Sequence, residues 1–194
     1  MKLILASSSP RRSQLLDQIG LQHIVRPADI DESRRPDEPP GTYVERVARE
    51  KAMAIDGADD VVVAADTAVV FEGQILGKPA HPQEARSMLQ RLQGERHEVF
   101  TCLAVARGPR LESLVDVTHV QMLTMTDDEI AHYVADGDPM DKAGAYGLQS
   151  RGAVFVESIS GSPFTVVGLP LHLLPRLLHR VEVDMELLRR RDRL

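Results

Sequence analysis

Ser7-Ser8-Ser9-Pro10-Arg11-Arg12 gathers three hydroxyls and two guanidinium groups where a helix is expected to begin. A helix N-terminus offers unsatisfied N–H groups and a positive dipole end, so it suits an anion such as a phosphate, and hydroxyls beside it add donors. Two arginines in the first turn oppose that dipole, whereas a bound polyanion reverses the sign of the effect. The segment alone reads equally as an ordinary capped helix with a solvated basic turn.

Asp66 follows the apolar run Val61-Val62-Val63-Ala64-Ala65 and is expected to end a buried strand. A partly desolvated carboxylate there is either a cap or a group that gains from a charged partner, as a metal ligand or general base does. Asp31 and Glu32 form a second acidic pair in the 28–35 loop, either solvent-facing or functional. Lys51 falls inside the helical stripe Val44, Val47, Ala48, Ala52 and Ile55. An ammonium buried there needs a partner; the alternative is that its stem snorkels to the rim. Lys78, in Leu76-Gly77-Lys78-Pro79, is either a solvated turn lysine or a second phosphate-directed cation. Glycines are dense in Asp141-Lys142-Ala143-Gly144-Ala145-Tyr146-Gly147-Leu148-Gln149 and again over residues 160–170, which suits close backbone approach to a ligand or tight turns alike. The seven histidines have no metal-ligand spacing, and there is no zinc motif, P-loop or dinucleotide fingerprint.

The elements that must carry these groups follow from periodicity and punctuation. Residues 3–6 read as a buried strand, followed by a helix capped by Ser9, opened by Pro10 and ended at Gly20. Thr42 and Glu45 have capping-box spacing for a helix to about Ile55, and Thr126 with Glu129 repeats the pattern for a helix to Ala135. A hairpin is expected around Glu72-Gly73, and a helix from Pro82 to Gly94 with Ala85, Met88, Leu89 and Leu92 inward. Residues 99–106 and 114–123 read as strands made antiparallel by the turn Gly108-Pro109, and 153–159 as a late strand. A closing helix over 171–181 holds Pro175, which kinks it or shifts its start. The class is mixed α/β with a partly antiparallel sheet.

The 194 residues, 43% of them hydrophobic, are enough for one sizeable core, expected as a single domain over 1–185 with a charged tail over 186–194 that frays. With 23 basic against 29 acidic residues the net charge is −6, which argues against a dedicated nucleic-acid surface. The lone cysteine, Cys102, lies in an apolar stretch and reads as a small buried hydrophobe in a reducing compartment. The apolar start ends at Ser7, short of a signal segment, and no run approaches a membrane span, so a soluble cytoplasmic protein is expected.

Taken together, over residues 3–178, the chain resembles the Maf family of nucleotide pyrophosphatases. The motifs that carry the resemblance occur in a fixed order: Ala6-Ser7-Ser8-Ser9-Pro10-Arg11-Arg12, Arg49-Glu50-Lys51-Ala52, Ala65-Asp66-Thr67, Gly77-Lys78-Pro79, residues 141–149 and Val167-Gly168-Leu169-Pro170. The resemblance implies a curved mixed sheet with flanking helices and two lobes around a cleft, as in inosine triphosphate pyrophosphatases. It also implies a homodimer and a divalent cation, Mg²⁺ or Mn²⁺. Arg11, Thr67 and Gln149 look like the base-selecting residues of the subfamily acting on dTTP and UTP. Asp66 matches the family's general base and Glu32 a second essential acid, both near the metal, while Ser7, Arg12, Lys51 and Lys78 would hold the triphosphate. Two rival readings go with it: a nucleotide-binding regulator of septum formation without catalysis, and a purine triphosphate pyrophosphatase of the inosine type.

Overall fold

The computed structural model describes residues 1–188; the run Arg189-Arg190-Arg191 and the rest of the expected tail to Leu194 lie outside the described residues. Among the described residues seven strands are hydrogen-bonded in the order β2-β1-β3-β5-β6-β7, with β4 on β3, and helices flank them. The strands are β1 (Leu3–Leu5), β2 (Ile24–Val25), β3 (Val61–Phe71), β4 (Gln74–Leu76), β5 (Arg96–Arg107), β6 (Arg110–Met122) and β7 (Val156–Ser160). The chain divides into two compact units, and β3, β5 and β6 each contribute to both.

Of the described residues, the first unit comprises Met1–Asp66, Thr101–Asp116 and 168–188. Here β1 runs parallel to β2 and to the start of β3, pairing Leu5 with Val63. β1 and the start of β3 read as continuous apolar runs because both their faces are covered, whereas Ile24 and Val25 of the edge strand β2 stay exposed. Helix α1 (Pro10–Gln18) starts on Pro10 and buries Leu15 and Leu16, and Gly20 follows it at φ 74°. Helix α2 (Pro40–Met53) buries Val44, Val47, Ala48, Lys51 and Ala52.

The expected capping box at Thr42 does not form. Pro39 and Pro40 preset the entry and start the helix earlier, so Glu45 is free to accept from the Ser113 hydroxyl at 2.7 Å instead. Pro175 shifts the start of the closing helix rather than kinking it: a 3-10 turn over Leu171–Leu173 precedes it. At the near end of the expected tail, Met185–Leu187 form a 3-10 turn and Leu188 is buried. Cys102 is buried without a disulfide partner, and burial pushes its thiol up to about 12, as suits an inert hydrophobe.

The second unit comprises Thr67–Phe100 and Val117–Val167. The β3–β4 hairpin turns on Glu72 and Gly73, both at positive φ, and pairs Phe71 with Gln74. Helix α3 (Pro82–Leu92) buries Ala85, Met88, Leu89 and Leu92. Helix α4 (Asp127–Ala135) has the full capping box, Thr126 accepting from the Glu129 N–H while Glu129 reaches back. These helices pack with Val99, Val120, Met122 and Tyr146 into one core. The late strand begins at Val156 rather than at 153, because Arg151–Phe155 wind into a 3-10 turn first. Among the described residues no helix is long and apolar enough to cross a membrane.

Candidate active site

Asp66 does not end its strand. It lies inside β3, just past Val63, the last residue that β1 pairs, and it is 6% exposed. Beyond Val63 the chain of β1 continues into Ala6-Ser7, with the Ala6 N–H still donating to the Val63 carbonyl at 2.8 Å, and the Asp66 carboxylate is buried. A charge in that place requires a partner.

Lys51 supplies it. The apolar stripe of α2 carries its ammonium inward, where Nζ lies 2.9 Å from Asp66 Oδ1 and 2.8 Å from Glu32 Oε2. Lys51 is 7% exposed, so it does not snorkel to the rim, and its partners among the described residues are the Asp66 and Glu32 carboxylates. The second Asp66 oxygen, Oδ2, is buried without a hydrogen-bond partner among the described residues. Buried carboxylate oxygens are ordinarily satisfied, so Oδ2 points to a group that arrives from outside the chain. Burial pushes the Asp66 carboxyl up, and Lys51 and Arg12 pull it down without cancelling that push.

Arg12 and Ser7 close the other side. Arg12 Nε donates to the Gly168 carbonyl at 2.8 Å and Nη1 to Ser7 Oγ at 3.1 Å. Burial lowers the Arg12 pKa against the opposing pull of Asp66 and Glu32, yet a guanidinium stays charged in a protein. Ser7 Oγ also accepts from the Ser9 N–H at 3.2 Å. Ser9 itself takes the N-cap position of α1 without a side-chain cap bond, and no acid stands in the first turn. The serine turn thus leads into the helix without a cap bond from the Ser9 side chain, and the Gly168 carbonyl holds Arg12 in the first turn.

The loop that carries Glu32 is held by residues that sequence reasoning missed. Arg46 grips the buried Glu38 carboxylate with two hydrogen bonds, at 2.7 and 2.9 Å, and donates to the Ser33 carbonyl at 3.0 Å. Chiefly for that reason the Glu38 carboxyl is held at about 2, so the pair stays ionised through neutral and mildly acidic pH. Tyr43 donates to the Glu32 carbonyl at 3.1 Å; burial and the neighbouring Asp66 and Glu32 push its phenol up to about 12. The available signal was the period of α2: Tyr43, Arg46 and Glu50 lie at helical spacing on the side that faces this loop. Asp31, the neighbour of Glu32, bonds its own loop at Ser33 N and takes no part in the cluster.

Ser7, Arg12, Glu32, Lys51 and Asp66 thus meet in the first unit. Arg11 is half-buried in the first turn of α1. The second unit holds Thr67 on β3, half-buried, Lys78, exposed after β4, and Gln149, exposed in the turn before the 3-10 helix Arg151–Phe155. Within that unit the two glycine-bearing segments are tied together, since the Gly144 N–H donates to the Gly77 carbonyl at 3.1 Å. No cluster of three or more histidine, cysteine, aspartate or glutamate side chains suited to a metal occurs among the described residues.

A protein from Anaeromyxobacter sp. (strain Fw109-5) named a dTTP/UTP pyrophosphatase is 50% identical over 184 residues, covering 92% of this chain and 89% of its own length. One of the same name from Moorella thermoacetica is 46% identical over 190 residues, covering 95% of this chain and 97% of its own length. The solved structure of the Staphylococcus aureus Ham1 protein superimposes with a TM-score of 0.51 at 14% identity, over 93% of this chain and 99% of that one, and bears out the expected mixed α/β fold. The model of the Maf-like protein family matches residues 2–181, which takes in every element that builds the cluster around Asp66, and the chain belongs to that family.

Proposed function

We propose that the chain is a nucleoside triphosphate pyrophosphatase that hydrolyses dTTP and UTP to the monophosphate and pyrophosphate. The observation that carries this reading is the buried Lys51 bridging Asp66 and Glu32, with a carboxylate oxygen of Asp66 left over. The names of relatives about half identical along nearly the whole chain support the substrate pair.

In this reading the α1 N-terminus, Ser7, Arg12, Lys51 and Lys78 hold the triphosphate. Asp66 orients a water at the α-phosphorus and takes its proton as the new oxygen–phosphorus bond forms and the bond to pyrophosphate breaks. Glu32 acts as the second acid, competing with the incoming phosphates for Lys51. The carboxylates of Asp66 and Glu32, brought together by Lys51, would hold a Mg²⁺ or Mn²⁺ ion, because Mg²⁺ commonly takes only one or two protein carboxylates alongside substrate phosphates. When bound, it would neutralise phosphate oxygens in the transition state. Cytoplasmic residence suits the unpaired, buried Cys102; a homodimer rests on the family resemblance alone.

Base choice is assigned to Arg11, Thr67 and Gln149. The Gln149 amide both donates and accepts, matching the carbonyl and N–H edge shared by thymine and uracil. The test is pyrophosphate release from a panel of nucleotides by the wild type and by Gln149→Glu. The wild type is expected to favour dTTP and UTP, and the carboxylate, which only accepts, to shift preference toward the amino-bearing cytosine nucleotides by about tenfold or more. Release from none of the panel contradicts the activity; an unchanged preference in Gln149→Glu removes Gln149 from base selection.

A further inference from the structure

The second unit contains a partly buried polar network that the proposed chemistry does not use, centred on Asp138. This residue opens the 3-10 helix Asp138–Asp141 that follows α4. Its Oδ2 accepts from Tyr133 Oη and from Ser150 Oγ, each at 2.8 Å. Its Oδ1 lies 3.4 Å from the Lys142 ammonium, which also contacts the Asp138 carbonyl and lies 2.7 Å from Asp141 Oδ1. Lys142 and Tyr133 are both buried. Desolvation pushes the Asp138 carboxyl up, but the Ser150, Tyr133 and Lys142 contacts outweigh it and keep the group ionised below the usual range.

The network has no slack. Ser150 Oγ shares its proton with the Gly147 carbonyl, 3.2 Å away. A Cβ on Gly147 would lie 2.6 Å from Lys142 Cε and 2.7 Å from Ser150 Oγ, and one on Gly152 only 2.5 Å from Tyr133 Oη. Gly144, at φ 68°, has Val69 against it and gives its N–H to Gly77. Below, Tyr146 Oη meets the buried His97 Nε2 at 2.8 Å. The backbone is therefore fixed at 147 and 150, on either side of the exposed Gln149, and at Gly77 beside Lys78. A charged network of this kind adds less to stability than an apolar core of the same size would, while it does define one geometry.

We infer that Asp138, through Tyr133, Lys142 and Ser150, is a positioning residue for base selection: it fixes the backbone that presents Gln149. This rests on the base-reading role proposed above. An exposed glutamine discriminates between a carbonyl and an amino group only if its amide is held in register, and misplacement by about an ångström removes a large part of such an effect.

The experiment measures kcat and KM for dTTP and dCTP with wild type, Asp138→Asn, Ser150→Ala and Gln149→Ala, alongside melting temperatures. Asp138→Asn turns one acceptor into a donor facing Lys142 or the Tyr133 and Ser150 hydroxyls. It is expected to cut the preference for dTTP over dCTP by about tenfold through KM, with kcat on dTTP kept within about threefold. Ser150→Ala, which leaves Asp138, Tyr133 and Lys142 paired, is expected to act in the same direction and carries the test if Asp138→Asn does not fold. If Gln149→Ala loses discrimination while neither network variant does, the inference is overturned and the base-reading role stands. If Gln149→Ala also keeps it, both fall. A fall in kcat and melting temperature with the dTTP to dCTP ratio intact marks a merely structural network and likewise overturns the inference.

Discussion

Asp66→Asn is expected to lower kcat for pyrophosphate release from dTTP by at least about 10²-fold, the scale of a lost general base, while dTTP binding stays within a few-fold of wild type. The substitution is isosteric, and the new amide would still offer Lys51 an oxygen at the position of Oδ1, now 2.9 Å away. Glu32 also remains to hold the ammonium. What disappears is the ability of the second oxygen, buried and without a partner among the described residues, to accept a proton from water. The nitrogen in its place is neutral and donates. Rapid-quench turnover, paired with equilibrium dTTP binding, reads the two quantities separately. Turnover at the wild-type rate would remove Asp66 from the chemistry. Binding without turnover in the wild type itself would favour the non-catalytic regulator.

Lys51→Met is expected to destabilise the fold by about 3–5 kcal/mol, the scale of breaking one side of a buried ion pair. Lys51 and Asp66 are 7% and 6% exposed, so water does little to screen either, whereas the half-exposed Glu32 loses little when its partner goes. Methionine fits the apolar stripe of α2 beside Val47, Ala48 and Ala52, so packing is kept and the loss is electrostatic. Adding Asp66→Asn to Lys51→Met removes the stranded charge and is expected to return most of the stability without returning activity. Urea midpoints of the two single variants and the double measure this. A double variant no more stable than Lys51→Met alone would show that the pair is not what holds Asp66 in β3.

The pair also shows where sequence reading stops. Lys51 stands out because it interrupts a helical apolar stripe, and that much is visible in the letters. Its partners are not, since Glu32 comes from an irregular loop and Asp66 from a strand with different periodicity. In the sequence Asp66 reads as the end of a strand, because a charge after Val61-Val62-Val63-Ala64-Ala65 ordinarily marks one. It sits inside the strand because a lysine from another element compensates it, and Ala68, Val69 and Val70 continue the buried run.

Capping boxes make the same point. The Thr126 pattern formed and the Thr42 pattern did not, although the letters match, because two prolines upstream of Thr42 had already set the helix start. Glycine density over 141–149 left turns and close approach unresolved. Gly147 and Gly152 prove to be places where Lys142, Ser150 and Tyr133 leave no room for a side chain. Asp138, which organises that segment, looks like one more loop acid until Tyr133, Ser150 and Lys142 are seen to converge on it.

In the proposed mechanism the cluster around Asp66 directs water at the α-phosphorus. Hydrolysis of dTTP in ¹⁸O-enriched water, with products analysed by mass spectrometry, tests it most directly. One heavy oxygen in the monophosphate and none in the pyrophosphate is the predicted result. Label in the pyrophosphate, or release of orthophosphate in place of pyrophosphate, would contradict it.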